Sequence, residues 1–131
     1  MLISASDTAV TVERALESGD EAWAIRHLTE AVSRLIRAPA DTEIPAAVLA
    51  PPAPISDSRY ATLIATAFAY AMLTRGEVPL AWMTSVEPLP TEWLWASEGA
   101  SDAFRDLIRS STPEIFLAKN ILTRDRDWVT L

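Results

Sequence analysis

The longest apolar run in the chain extends from Tyr60 to Leu73 and is interrupted by the hydroxyls of Thr62 and Thr66. Its larger apolar residues recur at helical spacing, and alanines cover much of the opposite side. A helix that is apolar nearly all round must be surrounded by other elements. We therefore predict an Ala-rich helix over about residues 57–75, capped by Ser56 or Asp57, at the centre of the fold. The run is shorter than the roughly 20 residues that a membrane-spanning helix needs, so a soluble protein is expected.

Helical periodicity upstream of this run predicts two further helices. The first should begin at an N-cap near Asp7 and end at about Ser18. The second should extend from a cap at Asp20 to about Arg37, with a stripe of large aliphatic residues on one face. Residues 38–56 contain five prolines, which remove backbone donors and favour extended conformations. This stretch is predicted to be a semi-rigid connection between two helical halves of one domain.

Helices also resume towards the C-terminus. One is predicted over about residues 100–110, with three apolar side chains facing inwards: Phe104, Leu107 and Ile108. Thr112 and Pro113 combine a hydroxyl cap with a proline suited to the first helical position, which predicts another helix start. No segment has a convincing strand period. The predicted fold class for residues 1–131 is all-α: a single compact helical domain of about five to seven helices around the central helix.

The charge of the chain restricts its partners. It has eleven basic residues against eighteen acidic ones, a net charge of −7. Proteins bind duplex nucleic acid largely by neutralising phosphates, so direct nucleic-acid binding is not expected, and a basic protein is a better-suited partner. There are no cysteines, which excludes disulfides and thiolate chemistry and fits a reducing cytoplasm. The first residues lack the features of a signal peptide, so a cytoplasmic location is expected.

Residues that could support catalysis are sparse. The three glycines are isolated, which excludes Gly-rich phosphate loops. The single histidine, His27, forms with Glu30 half of a helical carboxylate metal site, but the chain has no second half. Asp125 and Asp127 alternate with arginines, which favours surface ion pairing over a metal-binding carboxylate pair. No nucleophile–base pair can be named. We therefore predict a protein that is not an enzyme and has no catalytic residue, cofactor or metal site.

The segment from residue 76 to residue 95, called the Trp/Pro segment below, holds three of the five tryptophans and three of the nine prolines. Tryptophan is prominent both in cores and at binding hot spots, so its count does not separate a lid over the core from a binding surface. Trp82 follows the central helix between large apolar residues and is predicted to be mainly buried. Trp95 and Trp128 each stand near a chain break or the terminus, and they are the candidates for a partly exposed tryptophan.

The C-terminal tail has the composition of an interface anchor. Trp128 follows a run of alternating charges, in a place where chains usually fray unless something holds them. Aromatic residues and arginine are enriched at interfaces, so the predicted partner-binding residues are Trp95, Arg124, Arg126 and Trp128. In the alternative interpretation, Trp128 folds back and pins the tail onto its own core. Both interpretations bury the aromatic side chain of Trp128, so the sequence does not distinguish between them.

The C-terminal half also carries a family resemblance. A Pro-x-Ala-Trp segment precedes a Phe-containing helix and a closing Phe-x-x-x-Asn-Ile element, on these residues: Pro79, Ala81, Trp82, Phe104, Phe116, Asn120 and Ile121. The pattern resembles a group of small helical, antitoxin-like proteins of high-GC bacteria. Some of these carry an N-terminal helix-turn-helix, and some lie beside putative nucleotidyltransferase toxins. The resemblance implies a protein partner. Because no basic recognition helix precedes Tyr60, it does not extend to DNA-binding autoregulation.

Three functional hypotheses follow. The first is a non-catalytic, cytoplasmic interaction protein, the neutralising member of a toxin–antitoxin-like pair that meets a basic, nucleic-acid-directed partner. The second is a small-molecule-binding or enzymatic helical domain with a pocket between the Trp/Pro segment and the central helix. The third is a structural subunit that completes a larger assembly, including a homodimer.

Overall fold

A computed structural model of the protein describes residues 1–95 and 99–129, which form one all-α domain, as the sequence predicts. Within these residues the helices are α1 (Ala5–Glu17), α2 (Glu21–Arg37), α3 (Ala46–Leu49), α4 (Ser58–Thr74), α5 (Ala81–Thr84), α6 (Asp102–Ser111) and α7 (Glu114–Leu117). Two short strands, β1 (Trp93–Leu94) and β2 (Ile121–Leu122), pair in parallel with Trp93 opposite Ile121. A 3₁₀ turn, Asp125–Trp128, ends the described chain. The strand pair is absent from the sequence prediction, because two residues cannot display a strand period.

The Ala-rich helix α4 lies at the centre of the fold, which confirms the strongest prediction from the sequence. Every residue from Thr62 to Met72 is buried. Helices α1, α2, α5 and α7 all contact it. Its small side chains let these neighbours approach closely, while Phe68 and Tyr70 supply bulk. Within the described residues, no helix combines the length and apolarity needed to cross a membrane.

Local capping chemistry sets most helix starts. Asp20 caps α2 and Asp57 caps α4, as predicted, each by accepting hydrogen bonds from the backbone of the first turn. The cap of α1 is Ser4 instead of Asp7, because the Asp7 backbone N–H donates to the Ser4 hydroxyl at 3.0 Å and the helix begins earlier. Pro113 precedes α7 as its N-cap instead of occupying the first helical position.

Helix α6 buries a narrower face than predicted. Ile108 is buried with Leu94 and Leu122 in a small cluster, and Phe104 packs partly against it. The expectation that Leu107 faces inwards is wrong, since its side chain is 63% exposed. The helix packs on the two-residue strand β2. A two-residue strand can cover only one row of side chains on a helix, so the neighbouring side chain of Leu107 stays in solvent.

The Pro-rich connection is fixed to the end of α4 by Arg75. The Arg75 side chain is 3% exposed, and its guanidinium forms an ion pair with Glu77 at 2.6 Å. It also donates to four carbonyl oxygens, those of Leu35, Ala38, Pro39 and Thr42, at 2.5 to 3.3 Å. Leu35 lies in the last turn of α2 and Ala38 is its C-cap, whose backbone N–H also donates to the Leu35 carbonyl at 3.3 Å. One side chain therefore closes α2 and holds the start of the connection.

Candidate functional site

The two tryptophans predicted to be partly exposed are buried in the structure. Trp95 is 3% exposed and Trp128 is 0% exposed. Their ring centroids are 4.9 Å apart, and Phe116 stacks on Trp128 at 5.3 Å. The Trp128 indole N–H donates to the Thr123 hydroxyl at 3.0 Å. The expectation of exposure is therefore wrong, and the alternative interpretation, in which the tail folds back onto its own core, is the one that the structure shows.

The two arginines of the predicted anchor, Arg124 and Arg126, differ in their surroundings. Arg124 pairs with Asp127 at 3.5 Å, and its guanidinium lies 5.8 Å from the ring centroid of Phe104. Arg126 is exposed. The structure thus does not bring Trp95, Arg124, Arg126 and Trp128 together as one open surface. A partner-binding role for the arginines stays a prediction, whereas the two tryptophans have no accessible face to offer in this conformation.

The exposed tryptophan is Trp23, in the first turn of α2, where 47% of the residue is accessible. The sequence interpretation missed it. A signal was present, because Trp23 stands one position before Ala24, which begins the buried stripe of α2: Ala24, Leu28, Ala31 and Leu35. A large aromatic side chain that lies next to such a stripe, and not on it, does not point into the core. His27 lies one turn further along, with its ring centroid 6.3 Å from that of Trp23.

Carboxylates lie near Trp23 along the chain. Glu17 is the last residue of α1 and Asp20 is the N-cap of α2, and both are exposed. Asp20 accepts a hydrogen bond from the Trp23 backbone N–H at 3.0 Å, so its carboxylate caps the helix turn that carries Trp23. Glu21 adds a third carboxylate, which accepts a hydrogen bond from the Tyr60 hydroxyl at 2.8 Å. The result is an aromatic surface with an acidic edge, called the Trp23 surface below and defined by Glu17, Asp20, Trp23 and His27.

His27 is neutral near pH 7. Burial lowers its pKa below the usual value of 6.5, the charge of Arg34 lowers it further, and Asp7 opposes both. Its Nε2 atom is buried and has no hydrogen-bond partner. Within the part of the chain that the structure describes, no three His, Asp or Glu side chains lie together as a metal-binding group. The arrangement can therefore present the indole of Trp23 to a partner, with an uncharged, half-buried imidazole next to it.

A second concave feature lies under the Trp/Pro segment. It is a cleft of ≈ 180 Å³ between α1, α4, the Pro-rich connection and the Trp/Pro segment, lined by Ala9, Pro51, Pro52, Ala53, Pro54, Ile55, Ala61, Ile64, Ala65, Trp82 and Val86. Trp82 forms one wall and is half-buried, less than the sequence predicts. Its indole N–H donates to the Leu49 carbonyl at 2.9 Å, which fixes the ring. The cleft occupies the position proposed for a pocket in the second functional hypothesis.

Comparison with known proteins gives no family assignment. No family model matches the chain, and no curated protein or solved structure matches it significantly. Several residues of the antitoxin-like pattern have structural uses here. Phe116 is buried against Trp128, and Ile121 pairs with Trp93. Asn120 adopts a φ of 63°, a conformation that asparagine tolerates, and donates to the Leu89 carbonyl at 2.6 Å.

Proposed function

We propose that this protein is a non-catalytic interaction module that binds a basic protein through the Trp23 surface. The observation that carries the proposal is the 47% exposure of Trp23 in the helix turn that Asp20 caps, with the exposed Glu17 at the end of the preceding helix. Tryptophan is among the residues most enriched at binding hot spots, where a large rigid side chain is desolvated by the partner. A border of carboxylates would orient basic side chains of that partner around it.

Charge and family resemblance support the nature of the partner. With a net charge of −7, the chain attracts basic proteins at long range and repels nucleic acid. A protein that acts on nucleic acid needs a basic surface of its own. The antitoxin-like resemblance suggests such a partner, a toxin whose basic site this module would cover. In this proposal the module neutralises its partner by occupying a nucleic-acid-binding surface.

The test is copurification with the product of the neighbouring gene, followed by affinity measurement with Trp23→Ala. Hot-spot truncations cost about 2 kcal/mol or more, so we expect the dissociation constant to rise about 30-fold. Leu107→Ala is the matched control, because it removes an exposed apolar side chain on a different helix. Affinity should be unchanged in the control. Glu17→Lys should slow association and reduce its dependence on salt.

Two results would contradict this proposal. Trp23→Ala could bind the partner as tightly as the wild type, in which case the interaction surface lies elsewhere on the molecule. The chain alone could form a dimer that Trp23→Ala converts to a monomer, as measured by light scattering. The Trp23 surface would then serve self-association, the third of the functional hypotheses.

A further inference from the structure

We propose that the apolar cleft under the Trp/Pro segment is a binding site for a neutral, single-ring aromatic molecule. This site is separate from the Trp23 surface and does not depend on the proposed protein partner. All the side chains that line the cleft are apolar, and they come from four parts of the chain: α1, the Pro-rich connection, α4 and the Trp/Pro segment. Three features define the ligand: the size of the cleft, the chemistry of its walls and the charge beside it.

The size fits one ring. The cleft, which is partly open to solvent, has a volume of ≈ 180 Å³. An apolar cavity of roughly 150 Å³ in another protein stays dry and binds benzene, so a volume of this order holds a single ring with one small substituent. The alanines of α4 create the space, since Ala61 and Ala65 have only a methyl group where a larger residue would fill the cleft. Water in the cleft would find few polar partners, which favours its displacement by an apolar ligand.

The walls select a ligand without strong hydrogen-bonding groups. Pro51, Pro52 and Pro54 form one side and have no backbone N–H to offer. The indole N–H of Trp82 already donates to the Leu49 carbonyl. A ligand that carried a carboxylate into the cleft would lose its hydration without receiving donors in exchange from these side chains. The Trp82 ring instead offers an aromatic face or edge, which favours an aromatic ligand over an aliphatic one of equal size.

Groups of both signs lie beside the cleft: the Lys119 ammonium donates to the carbonyl of the lining residue Val86 at 2.5 Å, and the carboxylate of Glu13 disfavours an anionic ligand. Glu13 lies one helical turn after the lining residue Ala9. Its carboxylate accepts hydrogen bonds from the Ser56 backbone and hydroxyl, both at 2.8 Å, and so sits next to the lining residue Ile55. These bonds hold the pKa of Glu13 below its usual value of 4.5, so the group is negative at neutral pH. The Glu13 carboxylate would repel an aromatic carboxylate bound in the cleft, whereas it would not repel a neutral ring.

The experiment uses the full chain with toluene and benzoate as probes, in ligand-observed NMR and thermal unfolding. We expect saturable binding of toluene, accompanied by an increase in melting temperature, and no binding of benzoate at the same concentration. Val86→Phe places the protein's own ring in the cleft and should weaken toluene binding at least tenfold. Val78→Phe is the matched control: it makes the same change at an exposed position of the same segment and should leave binding intact.

A second variant covers the case in which Val86→Phe fails to fold. Ala61→Leu fills the cleft from α4, where Ala61 is half-buried and has room for added atoms. It should abolish the toluene-dependent increase in melting temperature. The proposal is overturned if toluene does not bind saturably to the wild type, or if benzoate binds equally well. It is also overturned if the folded Val86→Phe or Ala61→Leu proteins bind toluene with wild-type affinity.

Discussion

Arg75 links the end of α4 to the end of α2 and to the Pro-rich connection. Its stem leaves the end of α4, and its guanidinium meets the end of α2 and the beginning of the Pro-rich connection. A planar guanidinium with five N–H donors can serve several carbonyls at once, which a lysine ammonium cannot do in the same geometry. Sequence periodicity does not reveal this role, because Arg75 looks like an ordinary polar residue at a helix end.

Replacement of Arg75 by methionine should destabilise the protein. The apolar stem is retained, but the Ala38 and Thr42 carbonyls and the Glu77 carboxylate lose the hydrogen bonds from Arg75, while the Leu35 and Pro39 carbonyls keep a backbone N–H donor each. Because buried groups left without a partner cost about 1–3 kcal/mol each and some of these carbonyls can be rehydrated, we expect a loss of about 2–4 kcal/mol in the free energy of unfolding. Arg126→Met, the same change at an exposed residue, should alter stability by less than about 0.5 kcal/mol. Denaturant unfolding measures both, and equal losses would contradict the assigned role.

At the scale of elements, the sequence predicts the features that depend on local chemistry. Helices α2 and α4 begin at the predicted caps, Asp20 and Asp57, because a carboxylate at the N-cap acts on its own first turn. Features that depend on distant contacts were not predictable in this way. Trp128 is buried because Thr123 accepts its N–H while Phe116 and Trp95 supply flat surfaces, and none of these contacts leaves a periodic signal. The exposure of Trp23 is different, because its place one position before the buried stripe of α2 was a sequence signal that the interpretation missed.

The C-terminal 3₁₀ turn is therefore expected to be part of the stable core. Deletion of residues 125–131 removes the buried Trp128 ring and the hydrogen bond from the Tyr70 hydroxyl to Asp125 at 2.7 Å. Loss of a large buried aromatic costs about 3–5 kcal/mol, so the melting temperature should fall strongly. Trp128→Ala should reproduce most of this loss, while Trp23→Ala, the matched change at an exposed tryptophan, should cost less than about 1 kcal/mol. A truncated protein with the wild-type melting temperature would rule out this role for the tail.

For the molecule as a whole, the sequence predicts which kinds of surface feature are present better than it predicts which residues form them. It predicts that one tryptophan is partly exposed, and one of its alternative functional hypotheses places a pocket under the Trp/Pro segment. The structure contains both, with Trp23 in place of Trp95 or Trp128. Burial of a particular tryptophan depends on which surface the rest of the chain provides, and that is decided by the packed fold. The net charge, in contrast, follows directly from the composition. At both proposed sites, nearby carboxylates favour basic or neutral binding partners over anionic ones.

The pH dependence of stability tests the charge arrangement of the whole molecule, beginning on the acid side. His27 has a folded pKa below its usual 6.5, so between these values the unfolded chain binds more protons than the folded chain. Stability must then fall as the pH decreases through this window. Glu13 and Glu92 have pKa values held below 4.5, mainly by hydrogen bonds from Ser56 and Arg109. Protonation of these two carboxylates should cause a second, steeper loss of folding stability below about pH 4.5. His27→Gln should remove the first step and leave the second.

On the alkaline side the sign is reversed, and two tyrosines dominate. Burial and the hydrogen bond to Asp125 raise the pKa of Tyr70 to about 12, while burial and the hydrogen bond to Glu21 raise that of Tyr60 still further. Above the usual value of 10, the unfolded chain loses phenolic protons that the folded chain retains, so stability falls as the pH rises. The melting temperature should therefore be highest between about pH 7 and pH 10. Tyr70→Phe cannot ionise, and its melting temperature should decline less steeply above pH 10 than that of the wild type. An identical alkaline decline in the two proteins would show that Tyr70 does not retain its proton as the fold requires.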